Sequence, residues 1–481
     1  MSAGPAPPPE MISLGLSRIT QLLTHLRSPH ARTPVVHVAG TNGKGSVSAY
    51  LAAILDAADL AVGRFNSPHL VDECDSVRIR ERVVDLAVFA TAKAEVERVN
   101  AQEALAATPF EVLTATAFSL FARSHLDLAI VEVGMGGESD ATNVVPPAQT
   151  LVSVLTAVDL DHQGFLGDTV HAIARVKSGI VRQGGDLVVA HQAYPEVIDT
   201  ARSVAHARGA TVWQAGRGRY STNDAAPTGP DTPRQALIPL SPARVDPPAS
   251  ASAREAKPLL VNLPLPGSYQ LDNSATATLT AQLLRTLPRA RSIVPRLASI
   301  SDDAIKAGIE QTRWDGRLQW LDYSPIPRHV SSTERSSASQ PRSRRILLDG
   351  AHNPSSAALL GSYLASLPPS ARPNTLIFGL SAPRAASDVL GPLLDRSTGI
   401  EKVVCVEFSP PVGMPWVRAT PSDELERAVS EMNVENVVVE RYRSVEEAFS
   451  RLSESRATTV VAGSLYLVAD TLRLVYKGER R

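Results

Sequence analysis

Lysine is scarce in this chain of 481 residues: only seven lysines stand among 48 basic residues. Lys44 and Lys177 nonetheless fall in motif-like surroundings, so each calls for an explanation. Cysteine is nearly absent, and Cys74 and Cys405 lie far apart in the chain. Two such residues build no disulfide framework, so free thiols in a reducing compartment are expected. Charge imbalance is missing as well. The formal net charge of -1 gives no reason to expect nucleic acid or an anionic membrane as a partner. No apolar run approaches the length of a membrane span. Aromatic residues make up 5% of the chain, yet a hydrophobic fraction of 43% suffices for packed cores. The length fits roughly two to four domains.

The most informative stretch is Pro34-Val35-Val36-His37-Val38-Ala39-Gly40-Thr41-Asn42-Gly43-Lys44-Gly45-Ser46, with helix-forming Val47 to Leu55 behind it. An apolar strand, a glycine-rich turn, a lysine and a helix start form the order of a phosphate-binding loop. Glycines let backbone N–H groups approach phosphate, and the helix start adds unpaired N–H groups. Lys44 would reach the terminal phosphates and Ser46 the metal. The spacing departs from G-x-x-x-x-G-K-[ST], because Gly45 separates the lysine from the serine. A plain glycine-rich turn in a βα unit is the competing reading.

Residues 1–10 are proline-rich. Met11 to Leu26 has leucines and isoleucines at helical spacing and leads straight into the loop strand, as a domain's first helix would. It also has the arginine and serine content of a transit peptide, with no acid between Glu10 and Asp56. Cytoplasm is therefore the expected location, with a mitochondrial destination open. Beyond the loop helix, Ala61 to Phe65 reads as a strand, Val71 to Arg82 as a charged loop, and Leu86–Val99 and Phe110–Ser124 as helices. Leu126 to Gly134 is an apolar strand carrying Glu132 near its end. An acid placed there holds magnesium in phosphate-loop enzymes; a lone structural acid is the alternative. Gln149 to Val158 is a further strand that runs into Asp159-Leu160-Asp161-His162, and Lys177 lies one helix later. His162 thus falls where open α/β sheets bind ligands, although such a histidine and lysine taken singly read as surface or capping residues.

Residues 216–257 are rich in Pro, Ala, Ser, Asp and Arg without apolar periodicity and read as a mobile insertion. Residues 324–345 form a second such segment. The hinge between domains is expected near Gln311 to Leu318, with 1–313 and 314–481 as the two domains. From Arg344 onward, strands and helices alternate compactly as in a doubly wound parallel sheet. The class is α/β: an N-terminal phosphate-loop ATPase domain and a smaller C-terminal Rossmann-like domain.

Eight motifs in order resemble the folylpolyglutamate synthetase and dihydrofolate synthetase family, relatives of the muramyl amino-acid ligases. They are His37–Ser46, Ser67-Pro68-His69-Leu70, Thr108-Pro109-Phe110-Glu111-Val112-Leu113-Thr114, Val131-Glu132-Val133-Gly134 with Asp140-Ala141-Thr142-Asn143, Asp161-His162 with Lys177, Trp314-Asp315-Gly316-Arg317, Asp349-Gly350-Ala351-His352-Asn353-Pro354 and Gly463-Ser464-Leu465-Tyr466. The resemblance implies ATP-dependent amide bond formation in the cleft between the domains. It assigns Gly40, Thr41, Asn42, Gly43, Lys44, Gly45 and Ser46 to ATP, with Asn273, Arg317, Asp349 and His352. Ser67, Glu132 and His162 match magnesium ligands. Lys44, His162 and Lys177 match catalytic positions, and Lys177 matches a lysine that can be carbamylated. The implied partners are small molecules, namely ATP, L-glutamate and a dihydropteroate or reduced folate acceptor, acting on a monomer.

Three places depart from the family pattern. Tyr269 stands where histidine is usual, Glu138-Ser139 precedes Asp140, and Ser381-Ala382-Pro383-Arg384 lacks the usual lysine–aspartate pair. Asn42 and the run Phe408 to Val417 look more like fungal dihydrofolate synthetases than eukaryotic folylpolyglutamate synthetases, which favours dihydropteroate as acceptor. Extension of a γ-glutamyl tail on reduced folate, or both activities together, is the second reading. A nucleotide-binding regulator without catalysis is the third, supported only by the departures.

Overall fold

The computed structural model describes residues 14–222, 232–240, 243–244, 257–323, 344–414, 416–452 and 458–479. Its first part carries the strands Val35–Ala39 (β1), Val62–Phe65 (β2), Val77–Ile79 (β3), Arg82–Val83 (β4), Leu128–Glu132 (β5), Thr150–Leu155 (β6), Asp186–Val189 (β7), Thr211–Gln214 (β8), Arg219–Tyr220 (β9), Arg234–Ile238 (β10), Ala243–Arg244 (β11) and Leu259–Leu263 (β12). The helices among them are Ser17–His25 (α1), Lys44–Ala57 (α2), Leu86–Gln102 (α3), Pro109–Arg123 (α4), Gln163–Leu166 (α5), Val170–Ser178 (α6), Pro195–Ala207 (α7), Tyr269–Thr286 (α8), Pro288–Ile293 (α9) and Asp302–Gln311 (α10).

Nine strands form one sheet in the order β11-β8-β7-β6-β1-β5-β2-β3-β4. The six from β8 to β2 run parallel, and the edges on both sides turn antiparallel. Every residue of β1, β5 and β6 is buried. Helices cover both faces of such strands, which is why these segments read as unbroken apolar runs rather than alternating ones. The helix α2 lies between the sheet and two further helices, α8 and α10. Its contact with α10 is so close that a Cβ on Gly308 would stand 2.3 Å from the Ile54 Cα.

The second part carries Gln319–Tyr323 (β13), Arg344–Leu348 (β14), Thr375–Phe378 (β15), Lys402–Cys405 (β16), Val438–Arg441 (β17) and Thr459–Ala462 (β18). Its helices are Pro354–Ser366 (α11), Ala386–Leu393 (α12), Ser422–Glu431 (α13), Val445–Leu452 (α14) and Leu465–Glu479 (α15). The sheet order is β13-β14-β18-β15-β16-β17. Residues 312–318 join the two parts without a helix or strand. No helix among the described residues is long and apolar enough to cross a membrane.

Four expectations need correction. The segment 216–257 is not structureless, since β9, β10 and β11 fall within it. β10 pairs with β12 over five residues and buries Ala236 and Ile238 completely. The charged stretch 71–82 contains β3 and the first residue of β4, because an edge ribbon can carry charge on its solvent side. The C-terminal sheet is not all parallel, because β13 joins it antiparallel at the edge. Of the second insertion, 324–343 lie outside the described residues, while Arg344 and Arg345 begin β14.

Candidate active site

Parallel β1, β5 and β6 end side by side, with Val38 opposite Glu132 and Ala39 opposite Leu155. Their C-terminal ends deliver the glycine-rich loop, the Glu132 carboxylate and the 156–162 segment to one rim of the sheet, where open α/β sheets take ligands. The loop leans on its neighbour: the Thr41 and Asn42 N–H groups both donate to the Ala157 oxygen, at 2.8 and 3.1 Å. Gly43 turns into α2 with φ of 91°, and a Cβ there would come within 2.5 Å of the Asn273 side-chain oxygen. Only glycine meets both conditions. Asn273 donates to Gln270, which donates to the Ser46 hydroxyl, so α8 backs the loop from behind. Asn42 reaches across to Ser355 of the C-terminal part at 3.3 Å.

Lys44 opens α2 and folds back, donating to the Gly40 oxygen at 3.0 Å and the Thr41 oxygen at 3.1 Å. Lys177 leaves α6 from a buried position and donates to the same Gly40 oxygen at 3.0 Å. Burial, then the Lys44 charge, pulls the Lys177 ammonium down to about 7. Glu132 is buried, and burial pushes its carboxyl up against the opposing pull of Lys44, an Asn66 hydrogen bond of 2.6 Å and Arg317. A carboxylate so placed is costly without partners or a ligand.

Glu132, Ser67 and Gly45 line one cavity of about 300 Å³ together with Trp314, Asp315 and Arg317. The 66–78 segment and α15 close its other sides. The Ser67 hydroxyl is buried there without a hydrogen-bond partner. An orphaned hydroxyl and a buried carboxylate are oxygen donors that fit a hard divalent cation. Among the described residues no three His, Cys, Asp or Glu side chains converge as a metal cage. His162 does not line this cavity. It sits in left-handed backbone at the start of α5, 3.8 Å from the Asp161 carboxylate.

The C-terminal part brings Asp349, which accepts from the Leu318 and Ala351 N–H groups at 2.8 Å each. Burial raises its carboxyl and the nearby Arg317 opposes this. His352 is held to the Gly350 oxygen at 2.7 Å, and burial lowers it to about 4. Arg384, in the stretch that departs from the family pattern, donates to the His352 oxygen at 2.9 Å. It also stands 3.8 Å from Asp161 across the cleft. Sequence reasoning assigned no role to Asn66 or Arg384. Asn66 had a legible signal, since it directly follows β2 beside the strand that carries Glu132. Arg384 had none, because its partners lie more than 200 and about 30 residues away in the chain.

Two family descriptions match: the Mur ligase middle domain over residues 38–281, and the dihydrofolate synthetase C-terminal domain over residues 332–474. The dihydrofolate synthetase of Saccharomyces cerevisiae is 31% identical over 469 residues, covering 96% of this chain and 98% of the yeast protein. The chain belongs to the dihydrofolate synthetase family. Among solved structures, an Escherichia coli relative in complex with DHPP and ADP has a TM-score of 0.71 at 27% identity, covering 98% of this chain and 95% of its own. A Yersinia pestis bifunctional folylpolyglutamate synthase/dihydrofolate synthase, complexed with AMPPNP and a Mn ion, has a TM-score of 0.71 at 26% identity, with coverage of 98% and 95%. As a dihydrofolate synthetase family member the chain is an ATP-dependent ligase, and its two α/β parts correspond to the architecture of these relatives.

Proposed function

We propose that this chain joins L-glutamate to dihydropteroate at the expense of ATP. One observation carries the reading. A single interdomain cavity unites Gly45 at the end of the phosphate loop, the buried Glu132 and the joining segment's Arg317, in a chain matching a fungal dihydrofolate synthetase nearly end to end. A carboxylate is a poor electrophile, so its oxygen first attacks the γ-phosphorus of ATP and ADP leaves. The glutamate amine then adds to the acyl carbon, phosphate departs with the former carboxylate oxygen, and the amine loses a proton. Lys44 and Arg317 neutralise charge on the transferring group, which with positioning is most of the work in phosphoryl transfer. Gly40 to Ser46, with Asn273, Asp349 and His352, hold the nucleotide. Ser67 and Glu132 would hold a magnesium ion, which when bound would screen the phosphate oxygens; His162, the third ligand the resemblance implies, stands outside their cavity.

Lys177 in this reading is carbamylated, which replaces a buried ammonium beside Lys44 by an anion. The boundary between domains lies at residues 313 and 314. One chain supplies every residue named, so a monomer suffices, and the two buried free cysteines suit a reducing compartment, the cytosol or a mitochondrial matrix. Incubation with ATP, magnesium and glutamate, and with either dihydropteroate or tetrahydrofolate, tests the proposal. Chromatography should show dihydrofolate as the principal product. Glutamylation of tetrahydrofolate alone would assign the chain to the folylpolyglutamate activity instead.

A further inference from the structure

The glycine between Lys44 and Ser46 is the loop's departure from the usual spacing, and its neighbour in space is a tryptophan from the joining segment. A Cβ on Gly45 would stand 2.6 Å from Cζ2 of Trp314 and 3.3 Å from its Nε1. The face of the same indole lies over Arg64, whose guanidinium carbon is 4.8 Å from the ring centroid. Arg64 is 1% exposed on β2. It donates to Glu81 at 2.9 Å, but its Nε and Nη1 have no hydrogen-bond partner. A buried guanidinium so placed is costly, and an aromatic face offsets part of that cost.

The sheet sharpens the demand. Arg64 of β2 is paired directly with Arg78 of β3. Like charges opposite one another destabilise a strand pair. Asp315, the residue after Trp314, stands 3.9 Å from Arg78. Two consecutive residues of the joining segment therefore dock on two cross-strand arginines. The next residue, Gly316, accepts from the Gly350 N–H at 3.0 Å in the C-terminal part. Arg317 follows and lines the cavity with Glu132.

We propose that Trp314 is a positioning residue: wedged between Gly45 and Arg64, it fixes the start of α2 to the joining segment and so sets Arg317 against the phosphate loop. Position 45 is glycine because an indole occupies the space of a side chain. The inference rests on the ligase reading above for the role of Arg317, and on packing alone for the role of Gly45.

A double-mutant cycle of Gly45→Ala and Trp314→Ala in the full chain tests it, with ATP affinity read by calorimetry and kcat and KM by turnover. Gly45→Ala alone should weaken ATP binding about tenfold or more, as the clash displaces the loop. Trp314→Ala should lower kcat about tenfold and leave ATP affinity within about threefold, and Trp314→Phe should recover most of the rate. In the Trp314→Ala background, Gly45→Ala should weaken ATP binding no more than about twofold. Equal damage from Gly45→Ala in both backgrounds would overturn the proposal, since the glycine would then serve the nucleotide itself. Trp314→Leu supports the same cycle should the alanine variant be insoluble. A chain that ligates neither acceptor would sink the ligase reading, and the calorimetric cycle would still decide on Trp314.

Discussion

Lys177 and Lys44 donate to one oxygen, each over 3.0 Å, so their nitrogens are at most 6.0 Å apart. Two ammonium ions at that distance repel by about 3 kcal/mol at an effective dielectric of about 20. With burial added, Lys177 comes down to about 7. At pH 7 about half of it is then free amine, against about one part in 3,000 for an ordinary lysine. A free amine adds to CO2: a nitrogen–carbon bond forms, one N–H proton leaves, and an anionic carbamate remains. Its pairing with Lys44 turns repulsion into attraction, a swing on the order of 5 kcal/mol. Native protein equilibrated with 13C-bicarbonate should show a carbamate carbon resonance that is missing from Lys177→Ala and fades as pH falls below about 7. Lys177→Ala should lose at least about 100-fold in kcat, with partial recovery in formate or acetate, while Lys177→Arg stays inactive. Arginine working nearly as well as lysine, or no labelled carbon on the native protein, would refute the reasoning and leave Lys177 as a cationic phosphate contact.

Lys44→Ala should lower kcat at least about 100-fold with an unchanged circular dichroism spectrum; near-normal turnover at saturating ATP contradicts its role. Exchanging 216–257 for a short linker should destabilise the protein, contrary to what its composition implies, because Ala236 and Ile238 are fully buried. Ile238→Ala alone should cost about 2–5 kcal/mol, seen as a lower urea midpoint; an unmoved midpoint counts against the strand's packing. His37 is buried and, through burial and then the Arg182 charge, held at about 3 against an ordinary 6.5. The unfolded chain takes up a proton that the native state refuses, so this stability is complete above about pH 6.5. It falls by up to about 1.4 kcal/mol per unit as pH drops toward 3. His37→Gln should flatten that part of the pH–stability curve, and a curve of equal slope would dismiss the argument.

The features legible beforehand are those set by local order. Val35 to Leu55 announces strand, loop and helix within some twenty residues, and the alternation after Arg344 announces the second sheet. Family motifs implied one metal site of Ser67, Glu132 and His162; Ser67 and Glu132 line one cavity, and His162 lies outside it. What stayed hidden depends on approach in space. Nothing in the spacing of Gly45 and Trp314, or of Arg64 and Trp314, tells that three residues share one contact. Segment 216–257 reads as structureless because, among its described residues, only Ala236 and Ile238, two residues apart, are fully buried, and the surrounding Pro, Ser and Asp dilute a signal of that length. The edge strand β13 was missed because its residues are only partly buried and alternate weakly.

The close seat of α10 on α2 has a consequence for how the chain acquires its shape. α2 is made early and has almost no exposed side, yet its partner across Gly308 emerges some 260 residues later. Until then the apolar surface around Tyr50, Leu51 and Ile54 has no cover on that side. Parallel pairing of β1 with β5 and β6 also waits for residues 128–155. Contacts of such sequence separation form slowly and leave apolar surface exposed meanwhile. A nascent chain stopped before about residue 311 should therefore be a substrate for chaperones, whereas the shorter-range C-terminal sheet can close soon after it is synthesised.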